Sequence, residues 1–326
     1  MKRLIEPTLR PFTIFAGTIV VLALIDRGTG YFFSLATAFS VMQLFATLSL
    51  VALGLGLSML IREFDLSVAG VVGLSGCIAV LTGAAHPWFG LLCGLAAGIA
   101  SGALQGFIMT RLQLSSVGVT LGGLLTMQGI TYVLTGNRSI AYGNLPVALG
   151  LNAPIASILS VRSAVALAVF FAAAAVMAWT HLGRDVVATG SDRRAAMVAG
   201  VKTDRVVIGV FTASGAFAAL AGVLLSYSLG AASPAALSDV LAPAAAAAII
   251  GGVSVVGGRG HPLGIAAGVL TLSLLRSGLS AIGVSPHVHE IVTGAILLGI
   301  GILEGPDLAR RVIAWRLNRT QLESLP

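Results

Sequence analysis

The chain has 326 residues, 57% of them hydrophobic and 10% charged, with a mean hydropathy of +1.00. Soluble domains run near a quarter charged, so the composition excludes an ordinary soluble enzyme or nucleic-acid-binding domain and defines a polytopic membrane protein. The formal net charge of +7 is then a question of placement about a bilayer, not a footprint for nucleic acid.

A spanning helix needs about 20 mostly apolar residues. In chain order, ten runs qualify: roughly 11–29, 37–61, 66–84, 87–109, 114–135, 162–182, 206–228, 240–257, 262–283 and 289–304. Lys2, Arg3 and Arg10 precede the first, with no small-residue cleavage site to mark a signal peptide. The turn before the third run, Arg62-Glu63-Phe64-Asp65-Leu66-Ser67, is mixed in charge, and Asp65 or Ser67 can cap the helix that follows. Residues 66–110 hold no Asp, Glu, Lys or Arg and accommodate two spans, with a turn near His86-Pro87. In the fourth run Gly90, Gly94, Gly98, Gly102 and Gly106 recur every fourth residue, a groove along which a neighbouring helix approaches closely. Cys77 and Cys93 lie inside apolar runs and read as free thiols. An ordered outer loop is expected over 136–161, rich in Asn and Pro.

Between the sixth and seventh runs the chain changes character. Residues 183–205 hold eight of the 31 charged residues. Ser191 or Asp192 can cap a short helix there and Gly200 can end it. The basic pair Arg193-Arg194 leads into the small apolar stretch Ala195-Ala196-Met197-Val198-Ala199, so this helix reads as a docking element for something soluble. Further on, Gly251 to His261 is glycine-rich but lacks the Gly-Lys-Ser/Thr ending of a phosphate loop, and reads as a turn. The tail 305–326 is short and basic and carries no domain of its own; the whole chain, 1–326, reads as one membrane domain.

With the N-terminus in the cytoplasm, ten spans return the C-terminus there. That arrangement puts 15 of the 19 basic residues inside, leaving Arg27, Arg138 and Arg162 outside and Arg276 within a span. No nucleophile–base pair or catalytic carboxylate pair is evident, so no catalytic residue is assigned. His287-Val288-His289-Glu290 has metal-ligating types without a third ligand nearby, and reads as chance placement rather than a metal site. No carboxylate lies clearly at mid-membrane, where an ion-coupled secondary carrier usually keeps one. The neutral polar groups inside runs, among them Gln43, Gln105 and Gln128, suit either a path for a polar uncharged solute or hydrogen bonds between helices.

Three stretches together resemble one family. They are Ile61 to Gly70, the loop Gly183 to Asp204, and Ile249-Ile250-Gly251-Gly252-Val253-Ser254-Val255-Val256-Gly257-Gly258-Arg259-Gly260. In that order, over about 35–305, they are similar to the permease subunits of bacterial ABC importers of the ribose/xylose/galactoside type, with branched-chain amino acid permeases as more distant relatives. The resemblance implies an inner-membrane, multi-pass subunit without a cofactor of its own. ATP would be hydrolysed on partner ATPase subunits, a solute-binding protein would deliver the sugar outside, and a second permease copy or sister permease would share the path. It makes Ser191 to Met197 and Gly200 the ATPase-coupling residues, and admits Gln43, Asp65, Ser67, Gln105 and Gln128 as path residues. Two departures stand out: Arg62-Glu63 replaces paired glycines, and Asp192-Arg193-Arg194 replaces an acidic or amide start, which implies an acidic cleft on the partner.

Overall fold

The computed structural model of the chain describes residues 2–26, 32, 34–234, 238–281 and 283–304. Arg27 and the basic tail 305–326 lie outside the described residues. The elements, in order, are α1 Lys2–Ile25, α2 Leu35–Leu60, α3 Val68–Thr82, α4 Pro87–Leu112, α5 Ser116–Thr135, β1 Ile140–Ala141, α6 Leu145–Asn152, α7 Val161–Trp179, α8 His181–Ser191, α9 Arg193–Val198, α10 Thr203–Leu229, β2 Ala231–Ala232, a 3-10 turn Ser238–Val240, α11 Leu241–Ile250, α12 Pro262–Ala281 and α13 Pro286–Glu304. Among the described residues six helices are long and apolar enough to cross a membrane: α2, α4, α5, α7, α10 and α12.

The bundle is built around α10, which packs on α2, α3 and α4, while α12 lies against α1, α2 and α11. Lipid is as apolar as leucine, so helices in a membrane gain little by burying Leu against Leu. Close backbone approach is what holds them. The α4 glycines supply that approach. All five are buried. A Cβ on Gly98 would collide with Ala219 and the Gly215 carbonyl, and one on Gly102 with the Phe211 carbonyl. On Gly94 it would stand 2.8 Å from the Ser75 carbonyl of α3. The α10 glycines reciprocate, Gly215 against the Gly98 carbonyl and Gly222 against the Val72 carbonyl. Thus α3, α4 and α10 form one slab in backbone contact.

Two expected spans are shorter than the sequence implies. The run 66–84 gives α3 with 15 residues, and the run 240–257 gives α11 with only 10. At 1.5 Å per residue α11 is about 15 Å long, half of what the hydrocarbon core requires. It stops because Gly252 has φ +81°, followed by left-handed glycines at 257 and 258 that fold the apolar Val253–Val256 run back as a turn. A half-length helix survives at this depth only when enclosed by protein, and Ala244, Ala246, Ala247 and Ala248 are fully buried.

At the end of the bundle away from α9, β1 pairs antiparallel with β2. Tyr142 stacks on Tyr227 with ring centroids 4.4 Å apart, and the Tyr227 hydroxyl donates to the Pro87 carbonyl at 2.9 Å. Arg162, expected at the outer end of the run 162–182, lies in the first turn of α7 and is buried. Its guanidinium donates to Thr47 Oγ1 at 2.7 Å and Ser228 Oγ at 2.6 Å, tying α7 to α2 and α10. A planar donor fork that holds its charge suits such a junction of neutral acceptors.

Candidate functional site

Residues 183–205 do not form one loop around one helix. They contain α8, α9 and the start of α10. The chain turns sharply after α7, where Gly183 presses on the Met177 carbonyl too closely for any side chain. α8 then runs to Ser191, whose hydroxyl bonds back to the Val187 carbonyl. Of the two candidate caps, Asp192 is therefore the one used. Its Oδ1 accepts from the Arg194 and Ala195 amides at 2.9 and 3.0 Å. These amides, Ala195's first, hold the Asp192 carboxyl below the usual carboxylate range. At the other end Gly200 takes φ +89°. The Val201 amide reaches the Ala196 carbonyl and the Gly200 amide the Met197 carbonyl, both at 3.0 Å, which closes α9 with a Schellman motif. α9 is thus short but pinned at both ends. Ala196 packs inward, whereas Met197 is half exposed and Val198 is 90% exposed.

The three stretches that carry the resemblance meet here. Arg62 sits at φ +64°, a left-handed conformation that costs a residue with a Cβ roughly 1–2 kcal/mol. Its side chain offsets that cost. Nε donates to the Gly190 carbonyl at 2.6 Å and Nη2 to the Ser191 carbonyl at 2.5 Å, capping the C-terminus of α8 with a cation. From the glycine turn, the Gly258 amide donates to the Leu60 carbonyl at 2.9 Å. Gly190 fits directly against that same Leu60 carbonyl, where no Cβ has room.

Arg193 is paired within the chain, with 40% of its side chain still exposed. It bridges Glu63 at 3.2 Å and Asp204 at 3.3 Å, joining α9 to the turn after α2 and to the head of α10. Arg194, beside it, is exposed. The two departures from the family pattern, at 62–63 and 192–194, touch each other in space. Glu63 is the partner that sequence reasoning missed.

Of the five proposed path residues, three come together. Asp65, in the turn before α3, accepts from the Ser67 amide at 3.0 Å, from Ser67 Oγ at 2.6 Å and from Ser214 Oγ of α10 at 2.7 Å. Burial pushes its carboxyl up, and the hydrogen bonds from Ser67 and Ser214 oppose that shift. Gln105 Nε2 donates to Ser67 Oγ at 3.0 Å, carrying the network to α4. Gln43, on α2, has both amide atoms buried without a partner among the described residues, and Gln128 is half-buried on α5. These two do not join the Asp65 network. α5 is the least enclosed of the long helices, with open space at Gly118, Gly122 and Gly129.

Near the remaining titratable groups, Arg276 of α12 pairs with Glu290 of α13 at 2.8 Å. No group of three or more His, Cys, Asp or Glu lies together among the described residues. Cys77 is buried and Cys93 half-buried, both free.

Apolar helices in backbone contact, ending on one face in a doubly capped helix with an exposed apolar tip, define an integral membrane protein. The chain belongs to the family described as the permease component of the branched-chain amino acid transport system, matched over residues 37–301. Among curated relatives it is 32% identical, over 90% of this chain and 82% of the relative, to the autoinducer 2 import system permease protein LsrC of Yersinia pseudotuberculosis serotype O:1b (strain IP 31758). Two other proteins of that name, from Yersinia pseudotuberculosis serotype O:3 (strain YPIII) and Yersinia pestis (strain Pestoides F), are 31% identical over the same shares. No solved structure matches the chain.

Proposed function

We propose that the chain forms the translocation path of an ATP-driven, binding-protein-dependent importer for a small, polar, sugar-like solute. The observation that carries this reading is the likeness, over 90% of the chain, to permeases of an autoinducer 2 import system. In this reading the full chain, 1–326, is one membrane domain of a bacterial inner membrane, with its ten apolar segments in the bilayer, α3 and α11 as short enclosed ones, and both ends in the cytoplasm. Positive-inside placement of the basic residues supports that topology. Ser191 to Met197 and Gly200 form the coupling element, and the tip of α9 seats in a partner ATPase. Such a tip transmits motion only if it is stiff, and the two caps and the Arg62 and Arg193 ties make it so. The chain holds no cofactor, and ATP binds the partner. The open face of α5, with Gly118 and Gly122 four residues apart, suits contact with a second permease across the path. Gln128 of α5 is a neutral polar group offered to the solute, and Gln43 of α2, whose amide is buried, a second that opening of the path would uncover.

The test is uptake in vesicles. Reconstituted with its ATPase and solute-binding protein, the chain should import a sugar-like solute only when ATP is present inside. Leucine should not compete. Uptake by the isolated chain on a proton or sodium gradient would overturn the reading in favour of a secondary carrier, and competition by leucine would move it to branched-chain amino acids.

A further inference from the structure

An apolar groove of about 830 Å³ reaches the C-terminal cap of α9 at Ala199, Gly200 and Val201, separate from the exposed tip. Leu57 of α2 forms its floor, while Ala173 of α7 and Ala213 of α10 line its walls. Both wall helices pack on α2, and their small side chains leave the space between them unfilled. The mouth carries Asp185, Lys202 and Arg205. Lys202 and Arg205 are exposed, and neither is ion-paired within the chain among the described residues. An apolar slot between membrane helices, opening at a net-positive rim beside the head of α10, matches an amphiphile with one negative charge. Water filling such a slot is unfavourable, and a bilayer offers hydrocarbon in its place. Basic pockets between membrane helices at the cytoplasmic side select anionic headgroups.

We propose that the groove holds an acyl chain of an anionic glycerophospholipid whose phosphate lies at Lys202 and Arg205. The seat adjoins the C-terminal cap of α9 at Ala199 to Val201, so a bound lipid braces that end of the docking helix from within the membrane. Asp185 limits the favourable charge to about one unit, which selects a singly charged headgroup over a zwitterionic one.

Native mass spectrometry of the purified full chain, exchanged into equal phosphatidylglycerol and phosphatidylcholine, tests this without reference to transport. The wild type should retain one phosphatidylglycerol in preference to phosphatidylcholine. Lys202→Gln with Arg205→Gln should lower that preference roughly thirtyfold, in line with the contribution of two basic residues at a membrane surface. Ala213→Leu, which fills the groove and leaves the rim intact, should lower retention of both lipids. Asp185→Asn should raise phosphatidylglycerol retention, a gain that misfolding cannot imitate. Equal retention of the two lipids by the wild type, an undiminished preference in the double variant, or a polypeptide adduct in place of lipid would each overturn the proposal.

Discussion

Arg62 shows how a residue in an unfavourable backbone conformation is kept. At φ +64° glycine is the natural occupant, and arginine remains because its guanidinium serves the last two carbonyls of α8. Arg62→Ala keeps the strained conformation and removes both hydrogen bonds, whereas Arg62→Gly removes the bonds and relieves the strain. The alanine variant should therefore be the less stable of the two, by about 1 kcal/mol. Thermal unfolding in detergent is the measurement, and equal midpoints would remove the argument. Asp192 makes a pH prediction. The α9 amides hold its carboxyl below the ordinary range, so the folded form binds a proton less readily than the unfolded one. The cap's contribution is present above the ordinary aspartate range and is lost as pH falls through the lowered value. A spin label at Met197 should stay immobile through neutral and mildly acid pH and loosen only in strong acid. Asp192→Asn, whose side-chain oxygen still accepts, should keep the label immobile and abolish the acid transition.

At the scale of elements, α9 is coupled to the turn after α2 and to α10 through one arginine. Arg193→Glu places a carboxylate against Glu63 and Asp204, and ATPase stimulation by the assembled importer should fall. Adding Glu63→Arg should recover much of it, because the Glu63 contact is the more enclosed of the two. Arg194→Glu has no such internal rescuer, so its loss should persist beside Glu63→Arg. Full activity of Arg193→Glu alone would show the ties to be idle. These elements also show what was legible in the sequence. The caps of α9 are local chemistry, a side chain two or three residues from the amides it serves, and Asp192 and Gly200 stand out in the letters. The Glu63–Arg193 pair spans 130 positions, and each charge by itself resembles a solvated turn residue. The early end of α11 was hidden for another reason. Val253 to Val256 are as apolar as a span, and only the left-handed glycines on either side turn them back. Ser214 gave no signal at all, since one serine in a small-residue helix resembles any other until Asp65 arrives beside it.

On the scale of the whole molecule, the slab of α3, α4 and α10 is the rigid body and α5 its loosely attached neighbour. Gly102 lies at the tightest part of the α4–α10 contact, where a side chain would meet the Phe211 backbone rather than a movable group. Gly102→Leu should separate the two helices and abolish accumulation of folded protein. Gly118→Leu on α5, facing open space, should leave folding intact and report instead on contact with another subunit. Size-exclusion profiles of the two variants separate these outcomes, and a monodisperse, stable Gly102→Leu protein would refute the slab.

The column Gly90, Gly94, Gly98, Gly102 and Gly106 has a consequence for how this gene can change. Each residue added to a helix rotates everything beyond it by about 100°. One inserted codon inside the column would swing every later glycine out of the α10 contact and bring Leu, Ile or Phe in, a fault that no rotamer can absorb. Substitutions at the outward positions of α4 are open to drift, but its length between residues 90 and 106 is not. Insertions and deletions in related genes should therefore collect in the turns on either side of α4 and leave the reading distance between those five codons unaltered.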